Sequence, residues 1–327
     1  MDNSSARDYI YSKVCGLLSK VYTGSNSQKI LSVKTLAELY GLLFAKEVPV
    51  VPESILAGMI ENEAEKRFLD EFVELLDSFQ KPDRILVELL RFYDYENLKE
   101  IAGALCMHEE KEPLLADIAH YSMLNYSKWP DIAAVTENSP LSWYNKIPEV
   151  GEQQSLDSRL DSQYMNSIWN CAKKIGTAVG ESVVKLFEKE FVFDNIIWAM
   201  RLRVYYKMSV EEIREHLFFD DRSKGSKDVL AGPALKMLSR DFSNYDEWKD
   251  WKYVKMLNPN TDGVLWEVDP RWVENAMKTE LSKKLFSVFH QHSFTVVELI
   301  CYFKIKQDEL DLIRCVTESL RLDGSAQ

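Results

Sequence analysis

The residues of this 327-residue chain that are best suited by type to chemistry are few and poorly grouped. His290 and His292 form an H-x-H pair, with Cys301 nine residues further on. Zinc needs its ligands to converge, whereas residues two apart on a helix point to different sides, and the flanking pattern here reads as helical. Asp220-Asp221 ahead of Arg222-Ser223-Lys224-Gly225 has the ingredients of a phosphate or Mg²⁺ loop. No G-x-x-x-x-G-K-[ST] or G-x-G-x-x-G occurs anywhere, so an exposed polar loop is the expectation there. His108, His120 and His216 have no Ser or Cys partner motif, and no G-x-S-x-G is present. The segment Tyr245-Asp246-Glu247-Trp248-Lys249-Asp250-Trp251-Lys252-Tyr253 interleaves aromatics with lysine, as base-stacking surfaces do, but acidic residues alternate with them. Core packing or a protein interface fits that segment better, with Trp248 and Trp251 as possible interface anchors. The sequence therefore leads to no expected catalytic residue, no cofactor and no metal ligand.

The elements that carry these residues are expected to be helices. The chain has only 12 Gly and 10 Pro, well below the roughly 12% share of ordinary proteins, and it is rich in Leu, Glu and Lys. That balance favours long helices over many short strands, and the fold class is read as all-α. Hydrophobic residues at 46% and charged residues at 28% describe a globular chain long enough to bury real cores. The net charge is −12, and basic residues alternate with acidic ones, as in Glu61-Asn62-Glu63-Ala64-Glu65-Lys66-Arg67. Such a pattern reads as a solvated helix face and argues against nucleic acid or anionic lipid as a partner. Five scattered cysteines without a C-x-x-C, and an N-terminus with no apolar signal region, fit buried free thiols in a reducing cytoplasm. No apolar run reaches the ~18–20 residues needed to span a bilayer.

A helical module recurs. Its first copy has Glu61, Ala64, Glu65 and Phe68, then Glu96-Asn97-Leu98; its second has Asp157, Leu160, Asp161 and Tyr164, then Asp194-Asn195-Ile196. A weaker third has Glu274, Met277, Lys278 and Leu281, then Leu310-Asp311-Leu312. From Glu61 to Asn97 is 36 residues, from Asp157 to Asn195 is 38, and from Glu274 to Asp311 is 37. Offsets of three, four and seven put the opening positions of each copy on one helix face. The expected organisation is three modules, at 1–110, 111–215 and 216–327, forming one unit. Ser32 and Ser209 each read as an N-cap opening a helix. The amide of Asn97 or Asn195 can satisfy backbone groups where helices meet, and Asp311 could do so only as an acceptor.

Four stretches carry a family resemblance. Tyr9 to Val14 with Leu31 to Leu39, Tyr93 to Lys99, Phe193 to Ile196 with Arg201 and Arg203, and Glu298 to Phe303 with Lys306, Glu309, Asp311-Leu312 and Arg314 follow one another in order. Together they resemble the C/d family of V/A-type ATPase subunits, in a divergent bacterial form. Asp311 stands where that family usually has Asn, and the segment from Phe219 to Pro270 departs from its pattern. The resemblance implies three similar helical subdomains arranged as a funnel around a pseudo-threefold axis. It implies a non-catalytic central-stalk subunit that couples the rotor shaft to the membrane proteolipid ring in proton or sodium transport. Such a subunit would be cytoplasmic and held at the membrane by its partners. The alternative is a helical adaptor or regulatory scaffold outside any ATPase.

Overall fold

The computed structural model describes residues 3–176, 178–261 and 263–324. It is all-α, with no strand among the described residues. In chain order the α-helices are α1 (Asn3–Leu18), α2 (Ser27–Leu31), α3 (Leu36–Phe44), α4 (Glu53–Asp77), α5 (Arg84–Leu90), α6 (Phe92–Cys106) and α7 (Ile132–Thr136). They continue as α8 (Gln153–Lys173), α9 (Ala178–Val204), α10 (Val210–Glu215), α11 (Gly232–Met237), α12 (Pro270–Gln291) and α13 (Val296–Gly324). The chain divides into two compact units, one formed by residues 1–171 with 286–327 and the other by residues 172–285. The N-terminal helices and the closing helix α13 therefore belong to the same unit.

In the first unit α4 packs along α13. Leu56, Ile60, Ala64, Phe68, Phe72 and Leu75 of α4 are buried at spacings of three and four, which draws one apolar stripe along the helix. Phe68 and Phe72 meet Phe303 of α13 with ring centroids 5.3 and 4.9 Å away. A second apolar cluster joins Leu98 and Ile101 of α6 to Val135, Leu141, Tyr144 and Leu160.

The two serines read as caps behave differently. Ser209 opens α10 with a full capping box: the Glu212 amide donates to its hydroxyl at 3.3 Å, and its own amide donates to the Glu212 carboxylate at 2.8 Å. Ser32 instead closes the short helix α2, and its hydroxyl donates to the Lys29 carbonyl at 3.1 Å. The cap of α3 is Thr35, whose hydroxyl accepts from the Glu38 amide at 3.1 Å. The extra turn of α2 takes up Ser32, so the opening moves three residues along.

In the second unit α9 is packed by α10 and α11. The stretch from 219 to 269 contains little regular helix, and aromatic rings fill its core. Trp248 lies 5.1 Å from Trp251 and 5.2 Å from Phe242, ring centroid to ring centroid, each pair close to perpendicular. Their indoles are satisfied locally. Trp248 donates to the Asp241 carbonyl at 2.8 Å, and Trp266 donates to the Asn258 carbonyl at 3.1 Å.

Candidate functional site

The features with chemical potential prove to be structural or dispersed. Cys301 is fully buried in α13, and burial pushes its thiol up to about 12, so no reactive thiolate forms there near neutral pH. No group of three His, Cys, Asp or Glu side chains among the described residues is placed to hold a metal ion. The polar loop after Phe219 is organised by its own acids. Asp228 is buried and its carboxylate accepts from the amides of Asp221, Leu230 and Ala231 at 2.7, 2.9 and 2.9 Å. Asp221 accepts from the Ser223 amide and hydroxyl, which holds its carboxyl below the usual range. Asp220 is paired with Lys173 at 2.8 Å. These carboxylates serve donors of the chain itself, which occupies the oxygens a cation would need.

Two side chains of the recurring triplet have the same partner geometry. Asn97 donates from its amide to the Ala116 carbonyl at 2.7 Å and accepts from the Ala116 amide at 2.8 Å. Asn195 donates to the Phe218 carbonyl at 2.8 Å and accepts from the Phe218 amide at 2.8 Å. In each case a buried side-chain amide pairs with both polar groups of one residue further along the chain, as a strand partner would. Around Asn97 the arrangement extends further. The Tyr126 hydroxyl accepts from Asn97 and donates to Asp94 at 2.6 Å, and Asp94 also accepts from Ser122 and from the Met123 amide. Asp94 is fully buried, and that burial raises its carboxyl against the lowering effect of these bonds.

At the position expected to complete a third copy the arrangement is different. Asp311 is exposed and pairs with Arg314 at 3.7 Å. A buried acceptor lies two residues earlier at Glu309, which receives the Tyr22 amide at 2.6 Å and is paired with Lys306. Asp308-Glu309-Leu310 thus carries the acidic-polar-apolar order of Glu96-Asn97-Leu98 and Asp194-Asn195-Ile196, with the middle and last residues buried in all three. A carboxylate only accepts, so the Tyr22 carbonyl has no counterpart to the donor of Asn97 or Asn195. The segment that meets Glu309 also comes from the N-terminal end of the chain rather than from downstream.

The positions expected to open each copy hold charged clusters. Glu61 is half-buried, which raises its carboxyl, while Arg314 and Arg321 pull it down. Next to it Glu65 is paired with Arg314 at 2.6 Å. Asp157 is raised by burial and has one carboxylate oxygen with no hydrogen-bond partner, while Lys99 pulls it down and spans Glu96 and Asp161 at 2.6 and 2.5 Å. Glu274 is clasped by Arg201 and by Lys278, the latter at 3.2 Å. The closing pattern of the sequence does ionic work along α13: Tyr302 donates to Glu71, Lys306 to Glu309 and Arg314 to Glu65. Trp248 and Trp251 are core residues, 0% and 7% exposed, and offer almost no ring surface to a partner. The exposed large aromatics of that unit include Trp198, Tyr205, Tyr206 and Trp272.

Comparison with known proteins gives a match over nearly the whole chain. A family model described as "ATP synthase (C/AC39) subunit" matches residues 10–326. An uncharacterized protein of Treponema pallidum (strain Nichols) is 28% identical over 323 residues, covering 98% of this chain and 93% of that protein.

Proposed function

Since the chain belongs to the ATP synthase (C/AC39) subunit family, we propose that it is a non-catalytic central-stalk subunit of a rotary V/A-type ATPase. In this reading it couples the rotor shaft to the membrane proteolipid ring and carries torque between them. The observation that carries the proposal is the extent of the family match, which runs from residue 10 to residue 326 and so takes in nearly all of the four sequence stretches. Long helices suit the task, because a helix resists bending along its axis and transmits displacement through packed side chains. No helix among the described residues is long and apolar enough to cross a membrane, so a place at the membrane would be held through partner subunits.

The threefold repetition is part of this reading. Its copies would be marked by Glu61 with Asn97, Asp157 with Asn195, and Glu274 with the 309–311 segment. A surface for the shaft belongs to it as well. From 191 to 202 helix α9 is buried on nearly every side, leaving Asp194, Trp198 and Arg201 in a line that continues to Tyr205. Trp198 at 41% and Tyr205 at 49% exposure have the amphipathic rings that anchor protein interfaces.

The test is affinity purification of the tagged full chain from detergent-solubilised native membranes. Recovery of shaft and proteolipid subunits is the expected result. Recovery of neither would point instead to a scaffold outside any ATPase.

A further inference from the structure

A cavity of about 470 Å³ in the first unit lies between the end of α1, the end of α3 and the facing sides of α4 and α13. Lys20, Lys29, Arg67 and Lys306 line it together with two acids, Glu71 and Glu309. Lys306 is neutralised by Glu309, and Glu71 receives the hydroxyl of Tyr302. Lys20, Lys29 and Arg67 have no ion-pair partner among the described residues, and the Arg67 contact is a bond to the Leu43 carbonyl at 3.1 Å. The lining thus carries two more positive than negative side chains, in a chain with a net charge of −12. The rest of the lining includes Leu43, Phe44, Leu310 and Ile313, an apolar surface beside the cationic one.

We propose that this cavity binds a small phosphorylated metabolite. The phosphate sits among Lys20, Lys29 and Arg67, and the organic body lies against Leu43, Phe44 and Ile313. A planar guanidinium and two flexible ammonium groups lining one cavity suit a dianionic phosphate, with Arg67 giving paired N–H donors and the lysines adding charge. The volume falls within the range of small-ligand sites, roughly 300–1,000 Å³, and the lining is more polar than apolar, as suits an anionic ligand with a small organic body. In the same lining Glu309 is buried, is paired with the half-buried Lys306 and holds the Tyr22 amide, so ligand binding would bear on the point where the N-terminal segment joins α13. This site is independent of the rotor assignment and stands or falls separately from it.

The experiment is isothermal titration of the full-length chain with inorganic phosphate and with adenosine monophosphate at constant ionic strength. One saturable site is expected, with the monophosphate ester bound more tightly than inorganic phosphate. Arg67→Gln and Lys29→Gln each weaken binding by at least about tenfold, while Lys255→Gln, which removes an exposed charge in the other unit, leaves it unchanged. Lys29 and Arg67 are exposed, and circular dichroism checks that the variants fold. The proposal is overturned if neither ligand saturates by about 10 mM, a concentration that already corresponds to very weak binding. It is equally overturned if Arg67→Gln and Lys255→Gln bind alike, or if the ester has no advantage over phosphate.

Discussion

Replacing Asn195 by alanine tests whether the paired amide holds the second unit together. The substitution leaves the Phe218 amide and carbonyl without the partners they now have, both at 2.8 Å and both buried. Each buried backbone group left unpaired costs about 1–3 kcal/mol. The segment after α10 can shift and admit water at one of the two groups, so the expected loss is about 2–4 kcal/mol. Asn195→Asp separates the two halves of the interaction. Its carboxylate still accepts from the amide but cannot donate to the carbonyl, and ionisation at a site 4% exposed adds a desolvation cost. That variant is expected to be at least as unstable as the alanine near neutral pH and to recover on acidification. Urea titration followed by tryptophan fluorescence reads the loss, because Trp248, Trp251 and Trp266 share a core with Ile196 and Met200. Hydrogen exchange at the Phe218 amide locates it. Asp311→Ala is the matched control, with a change within about 0.5 kcal/mol because the side chain is exposed. A loss for Asn195→Ala within that same margin, with unchanged protection at Phe218, would refute the structural role given to the paired amide.

Two further outcomes are expected. Glu298 is buried, and burial raises its carboxyl from 4.5 to about 7 despite the Phe294 amide bond at 2.8 Å. Its folded form therefore holds a proton that the unfolded chain has released, so its contribution is neutral below pH 4.5, becomes unfavourable as pH rises to about 7 and is constant above that. Glu298→Gln should therefore be more stable than the parent by up to roughly 2–3 kcal/mol above neutral pH and lose that advantage on acidification, as read by urea midpoints across the range. Trp248→Ala empties a fully buried ring position and should cost about 3–5 kcal/mol, whereas Trp272→Ala, at an exposed ring, should change the thermal midpoint little.

How much of this is visible in sequence differs from residue to residue. The helical class follows from scarce glycine and proline and from stripes such as Leu56, Ile60, Ala64 and Phe68, because burying one face imposes a 3.6-residue period. The chemistry of Asn97 and Asn195 is visible too, since an amide can both donate and accept. What they bracket is not visible: Ala116 and Phe218 lie 19 and 23 residues further on, outside the periodic helices. Spacing leads to Asp311 as the expected third position, which the fold leaves exposed; the carboxylate buried two residues earlier is Glu309, and only the fold reveals that its partner is Tyr22, 287 residues away. The tryptophan-rich segment illustrates the same limit. Short turns place Trp248 and Trp251 in a core without any repeating pattern, so their burial has no periodic signature.

The coupling claim is tested most directly by ATP-driven ion transport in inverted membrane vesicles from cells lacking this chain. The expected result is that ATP hydrolysis by the enzyme head persists while ion accumulation is lost, and that adding back the purified full chain restores accumulation. Ion accumulation that proceeds at the parental rate without the chain would contradict the claim.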